Sequence, residues 1–133
     1  SKTDLLRARR HQTRLSSGRG IMLLVRPDGE ITAWDHACYH VGGSLLDCDI
    51  EELPAPACEH VMVCKWHARK IGLQSGKLWY TKLDFEAGTE QLTATAVKQR
   101  RHKVLITGDA VFVADSSLDG VAIPSDDFAF RPF

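Results

Sequence analysis

Two short segments constrain this chain more than anything else in it. Cys38-Tyr39-His40 and Cys64-Lys65-Trp66-His67 each set one cysteine and one histidine within a single tight loop, with positions 41–63 between them. Thiolate sulfur and imidazole nitrogen are the donors that zinc and iron accept. A histidine two or three positions after a cysteine can point the same way from one loop. Gly42-Gly43, directly after Val41, lets the backbone turn sharply and approach a bound group closely. If both pairs serve one metal group, the fold has to bring the two loops face to face.

The rest of the chain reads as strands. Ile21–Val25 and Ile31–Trp34 flank a turn with Asp28-Gly29 at its tip, the pattern of a hairpin. Val61–Cys64 is a short strand leading into the second segment. Lys70–Leu73 and Lys77–Tyr80, separated by Gln74-Ser75-Gly76, form another hairpin. Thr95–Gln99, Lys103–Thr107 and Val111–Ala114 complete the set, the last two joined across Gly108-Asp109. A helix is expected only near the start, around Leu5 and Leu6 with Thr3 and Asp4 as caps, and a short helical turn at 82–88. Between Cys38 and Val61, Gly42-Gly43, Pro54 and Pro56 interrupt every strand pattern, which predicts a long functional loop. Residues 115–133 read as a polar tail with isolated aromatics lying over the core. The fold class is mostly β.

At 133 residues the chain is one domain, 1–133, large enough for a core of its own. The 44% hydrophobic and 26% charged content excludes disorder and fibre. The longest apolar run, Ile21–Val25, is far too short for a bilayer, and no signal-peptide pattern opens the sequence. Seventeen basic and seventeen acidic residues cancel. That balance, with no recognised binding module, argues against nucleic acid and membrane surfaces as partners. The charges are uneven: residues 1–20 are basic, Val41–Val63 carries five acidic residues and no lysine or arginine, and Lys98–Lys103 is basic again. We read Lys98–Lys103 as a strand with outward charges, with partner docking as its alternative.

Four cysteines, at 38, 48, 58 and 64, would suit a disulfide framework only in a chain too small for a core. Structural zinc fingers usually group two cysteines in one half and two histidines in the other. Mixed halves suit two irons ligated differently, one by two cysteines and the other by two histidines, each loop giving one ligand to each iron. Charge arithmetic explains why such a site would use histidines. Two ferric ions, two sulfides and two thiolates sum to zero, so an added electron costs less than at an all-cysteine site. Cys48 and Cys58 are then free thiols, and His36 and His60 solvated loop histidines. Trp66 is expected to pack over the loop and keep water off it. Tyr39 either donates toward the bound group or faces solvent.

Ala33 to Leu45 and Val63 to Ile71, the latter followed by Ser75-Gly76, resemble the two cluster-binding boxes of Rieske proteins. The chain is most similar to the soluble Rieske ferredoxins of the vertebrate type. They share the Cys-Tyr-His-x-Gly-Gly box and a late segment like Val97 to His102. The resemblance covers roughly residues 20 to 114. It implies a Rieske domain of antiparallel sheets with a cluster-binding subdomain of two hairpin loops, about 36–76, an acidic inter-box loop, and a tail at 115–133. It also implies one 2Fe–2S cluster per chain, held by Cys38, His40, Cys64 and His67. The two histidines would lie near solvent as the exit for the electron.

Departures from the family pattern carry expectations too. Respiratory-type members brace the loops with a disulfide between an extra cysteine in each box, and Gly43 and Trp66 stand at those places here. The serine and tyrosine that donate to cluster sulfurs in high-potential members are matched by Arg69 and Ile71, which implies a low potential, near about −150 mV. Lys65 replaces a proline after the second cysteine.

The resemblance implies a soluble one-electron carrier between a reductase and an oxidase or oxygenase acceptor, without a substrate site of its own. A small Rieske subunit of a larger oxidoreductase is the alternative. After His67 only His102 remains, so the two-histidine, one-carboxylate iron site of an oxygenase cannot be built. A structural zinc module is the third reading. The expected state is a cytoplasmic monomer, or the product of a removed transit peptide.

Overall fold

The computed structural model describes residues 1–133. In chain order the elements are α1 (Lys2–Ala8), β1 (Arg10–Arg14), β2 (Gly20–Val25), β3 (Ile31–Asp35), β4 (Asp49–Glu52), β5 (His60–Val63), β6 (Lys70–Gly72), β7 (Lys77–Asp84), β8 (Thr89–Val97), β9 (Arg101–Thr107) and β10 (Ala110–Ala114). Two 3₁₀ turns, Ser116–Asp119 and Pro124–Phe128, follow. The strands make two five-stranded antiparallel sheets, ordered β1-β2-β3-β9-β10 and β4-β5-β6-β7-β8. No helix is long and apolar enough to cross a membrane.

Strand periodicity explains how β2 is buried throughout. Met22 and Leu24 face one side with Trp34, and Leu23 and Val25 face the other with Ile31 and Ala33. The second side is covered by Leu5 of α1 and by Val104, Val111 and Val113. On the first side lie Met62 and Ile71 of the second sheet, Leu73 just after β6, Leu45 of the loop after β3, and Cys38, Cys48 and Cys64. The larger core therefore joins the two sheets, and both candidate ligand cysteines are part of it.

The expected hairpins form as read. Met22 pairs with Trp34 across the Asp28-Gly29 turn, and Ile71 pairs with Leu78 across the Gln74–Gly76 turn. The helix is capped by Ser1, with Thr3 and Asp4 inside it rather than as caps, and three larger expectations are overturned. The segment 82–88 is not helical: β7 runs to Asp84, whose Oδ1 accepts from the amides of Glu86 and Ala87 to close a hairpin turn. The loop between Cys38 and Val61 contains a strand, β4, paired with β5 from Asp49↔Val63 to Glu52↔His60. Thirdly, Lys98–Lys103 is not a row of outward charges. Gln99, Arg100 and His102 are 0%, 1% and 2% exposed.

Their burial is explained by carboxylates from distant parts of the chain. Arg100 donates to Asp126 through Nε at 2.6 Å and Nη2 at 2.8 Å, and to the carbonyl of Ser116 at 2.9 Å. Its amide donates to Ser125 Oγ at 2.9 Å. Arg19 donates to both oxygens of Asp35, at 2.8 and 2.7 Å, and is also paired with Asp126. Asp35 in turn lies 2.8 Å from His102 Nε2. This buried network ties the tail to the end of β3, immediately before the first cysteine box.

Candidate metal centre

Both boxes close on the same hydrogen-bond frame. In the first, Cys38 donates its amide to the carbonyl of Gly43 at 2.7 Å, and Gly42 donates to the carbonyl of Cys38 at 2.8 Å. In the second, Cys64 donates to Arg69 at 3.0 Å and Ala68 donates to Cys64 at 2.8 Å. The fourth residue after each cysteine sits in the left-handed region, Gly42 at φ 78° and Ala68 at φ 55°. Glycine takes that conformation without strain, whereas Ala68 pays about 1–2 kcal/mol for it. On this common frame the histidine is the second residue after Cys38 and the third after Cys64.

The four candidate side chains come together as two pairs. Cys38 and Cys64 are both buried, and both belong to the larger core. The rings of His40 and His67 are 4.9 Å apart between centroids and nearly perpendicular. His40 is half-buried and His67 exposed, so the sulfurs lie beneath and the imidazoles above. No three histidine, cysteine or acidic side chains close on one ion-sized point. Two pairs at different depth suit a two-metal group better than a single tetrahedral ion.

The electrostatics point the same way. Burial first, and then the neighbouring Cys64, push the Cys38 thiol up to about 12, although the amide of His40 pulls it down. Such a thiol does not ionise alone; it does so against the charge of a metal. Nδ1 of His40 is buried without a hydrogen-bond partner, while its Nε2 lies 3.3 Å from Nη2 of Arg69. An unpartnered ring nitrogen on the same tight loop as a buried thiol offers donors that an iron–sulfur group fits.

Trp66 is 63% exposed, so it does not seal the loop from water as expected. Its ring lies on Gly43, where an added Cβ would come within 2.7 Å of Cγ and Cδ1. Thus the two positions that would hold a disulfide in respiratory-type proteins touch here through an indole on a glycine. Cys48 is buried in the core and Cys58 is exposed, and neither is in a disulfide. His36 is a correction. It is 2% exposed rather than solvated, with neither ring nitrogen partnered and its ring edge-on to Phe133 at 4.9 Å. Sequence reasoning missed Arg69 as a neighbour of His40, and Gln99 and Arg131 as partners of the first loop. Only the mixed polar and basic character of Val97–His102 signalled anything there.

A family model described as soluble Rieske-type ferredoxin matches residues 1–118, further in both directions than the two boxes alone indicate. A Rieske domain-containing protein of Homo sapiens is 33% identical over 91 residues, covering 67% of this chain and 56% of the human protein. The chain thus spans about half the length of that relative. With the match running through both sheets and both cysteine–histidine loops, the chain belongs to the soluble Rieske-type ferredoxins, a family of iron–sulfur electron carriers.

Proposed function

We propose that Cys38, His40, Cys64 and His67 hold one 2Fe–2S cluster, and that the chain carries one electron between a reductase and an oxidase or oxygenase acceptor. The observation that carries this reading is the pair of loops on one frame, with thiols buried, imidazoles outward and Nδ1 of His40 without a partner. In this reading Cys38 and Cys64 take one iron, and His40 and His67 the other. The bound group supplies one-electron oxidation and reduction. Trp34, Leu45, Met62 and Ile71, all buried, keep water from the sulfur side. His67 and Trp66, both exposed, are what a partner meets first.

The surroundings of that tip are cationic. Segments 36–46 and 64–72 contain Lys65, Arg69 and Lys70 and no acidic residue, although Lys70 is paired with Glu51 of β4 at 3.4 Å. Arg10 and Arg131 add to them, each donating at 2.6 Å to a carbonyl of the first loop, Leu46 and Val41 respectively. A redox partner with an acidic face fits this tip, with electron transfer that slows as salt rises. Cys48 and Cys58, the two cysteines outside the ligand set, are in no disulfide, which suits a reducing compartment such as the cytoplasm, and the chain would act there as a monomer.

Electron paramagnetic resonance of the dithionite-reduced protein, with iron, sulfide and zinc analysis, tests the reading. Two irons, two sulfides and a rhombic Rieske-type signal are expected. One zinc per chain and no signal would overturn it.

Two variants extend the test. Arg69 has its charge beside His40, where it favours the added electron and works against the low potential that the sequence implies. A half-exposed charge several ångström away is worth roughly 1 kcal/mol, or about 50 mV for one electron. Arg69→Gln is therefore expected to lower the midpoint potential by about that amount in protein-film voltammetry; no change would remove Arg69 from the site. Gly43→Ala sets a methyl against the Trp66 ring, and the exposed indole can make room only by leaving its seat on the first loop. The loops should then part more easily, with loss of iron to a chelator several-fold faster than in the parent protein.

A further inference from the structure

We infer that Gln99 is the positioning residue that holds the two ligand loops in register, taking the place of the disulfide brace. Its side chain is 0% exposed and reaches the first loop on both sides of Cys38. Nε2 donates to the carbonyls of Asp35 at 3.0 Å and Ala37 at 2.8 Å, and Oε1 accepts from the amide of Tyr39 at 3.0 Å. Both donor hydrogens of the carboxamide and an acceptor site are thus used on a five-residue stretch centred on Ala37. Its backbone, meanwhile, belongs to the other loop. The amides of Lys98 and Gln99 both donate to the carbonyl of Gly76, at 2.9 and 3.1 Å. Gly76 closes back on Gly72 of β6, the strand that leaves the second box. The approach is tight, since a Cβ on Gly76 would stand 2.5 Å from the carbonyl oxygen of Gln99.

One residue therefore joins the Cys38 loop through its side chain and the strand behind the Cys64 loop through its main chain. No disulfide joins the loops, and Trp66 on Gly43 meets them only at their outer rim. Buried hydrogen bonds with every partner satisfied are directional in a way that apolar packing is not, so they fix the orientation of the Cys38 thiol toward Cys64. This role rests on the ligand assignment proposed above, whereas the brace itself rests on the hydrogen bonds alone.

Gln99→Met keeps length and volume and removes all three side-chain hydrogen bonds. Leu5→Ala serves as a control for general destabilisation, because Leu5 packs in the smaller core on the opposite face of β2. Both variants should melt at lower temperature. Only Gln99→Met is expected to shift or broaden the resonance of the reduced protein, to lose iron to a chelator several-fold faster, and to speed hydrogen exchange at least tenfold in the peptide spanning residues 36–43. If Gln99→Met matches Leu5→Ala in all three readouts, Gln99 is ordinary core and the inference is overturned. If the parent protein holds no iron, the ligand reading fails, and the exchange comparison still decides whether Gln99 braces the loop.

Discussion

Replacing His67 with cysteine is expected to lower the midpoint potential by roughly 100 mV or more, toward the all-cysteine ferredoxins. The argument is one of charge. With two thiolates and two neutral imidazoles the oxidised site sums to zero, and a third thiolate makes it −1 before the electron arrives. Opposing an electron with an extra negative charge in a partly desolvated site costs several kcal/mol less any relief from solvent, and His67 is exposed enough to receive some. The loop tolerates the change, because Lys65, Trp66, His67 and Ala68 are all exposed and the frame from Cys64 to Arg69 is made by the backbone. The visible spectrum of the oxidised variant should move in the same direction. A variant that still holds two irons with an unchanged potential would mean that His67 is not a ligand, and the pairing of imidazoles at 4.9 Å would need another explanation.

The two boxes were legible because chemistry fixes their residue types and close spacing, whatever the rest of the chain does. The β2–β3 hairpin was legible for a different reason: Asp28-Gly29 supplies the turn, and the apolar residues on either side leave only one register that buries both strands. β1 and β4 were missed because they are edge strands, Arg10–Arg14 and Asp49–Glu52, whose residues are mostly polar or charged, none of them fully buried, and carry no apolar alternation. Charged edges are how sheets avoid pairing with other chains, and the same charges hide the strand from a hydrophobicity reading. Lys98–Lys103 failed more instructively. A basic run reads as a solvated face unless its anions are known, and those anions, Asp35 and Asp126, lie tens of residues away on either side. Gln99 was invisible for the same reason, since its partners are main-chain atoms of the first loop. His36 read as solvated because nothing local announces that Phe133, the last residue, will cover it.

Asp35→Asn is expected to be the most damaging single substitution, costing about 3–5 kcal/mol, as breaking a buried ion pair does. For a domain of this size that corresponds to a melting temperature lower by roughly 10–20 °C. Asp35 is fully buried and receives Arg19 twice, His102 once and the Ser125 hydroxyl. An asparagine turns an NH₂ toward these donors and leaves Arg19 with Asp126 as its only carboxylate. The pH dependence separates this loss from simple mispacking. Burial alone would raise the Asp35 carboxyl, but hydrogen bonds from His102, Arg19 and Ser125 outweigh it and hold it below the usual range. Hydrogen bonding from Arg100 holds Asp126 below its usual range as well. A carboxyl lowered in the folded state stabilises the protein fully above its unfolded value, near 3.8, and loses that contribution as pH falls through the folded one. Urea unfolding of the parent protein should therefore weaken below about pH 4, on top of a loss that sets in below about 6.5 because burial holds the His36 imidazole below its ordinary range, a loss that the parent and the variant share. Asp35→Asn lacks one of the carboxyls responsible, so its deficit should be largest at neutral pH and shrink as the medium is acidified below 4. A deficit of the same size at pH 7 and pH 3 would show that asparagine merely packs badly, and that the Arg19–Asp35 pair contributes nothing through its charge.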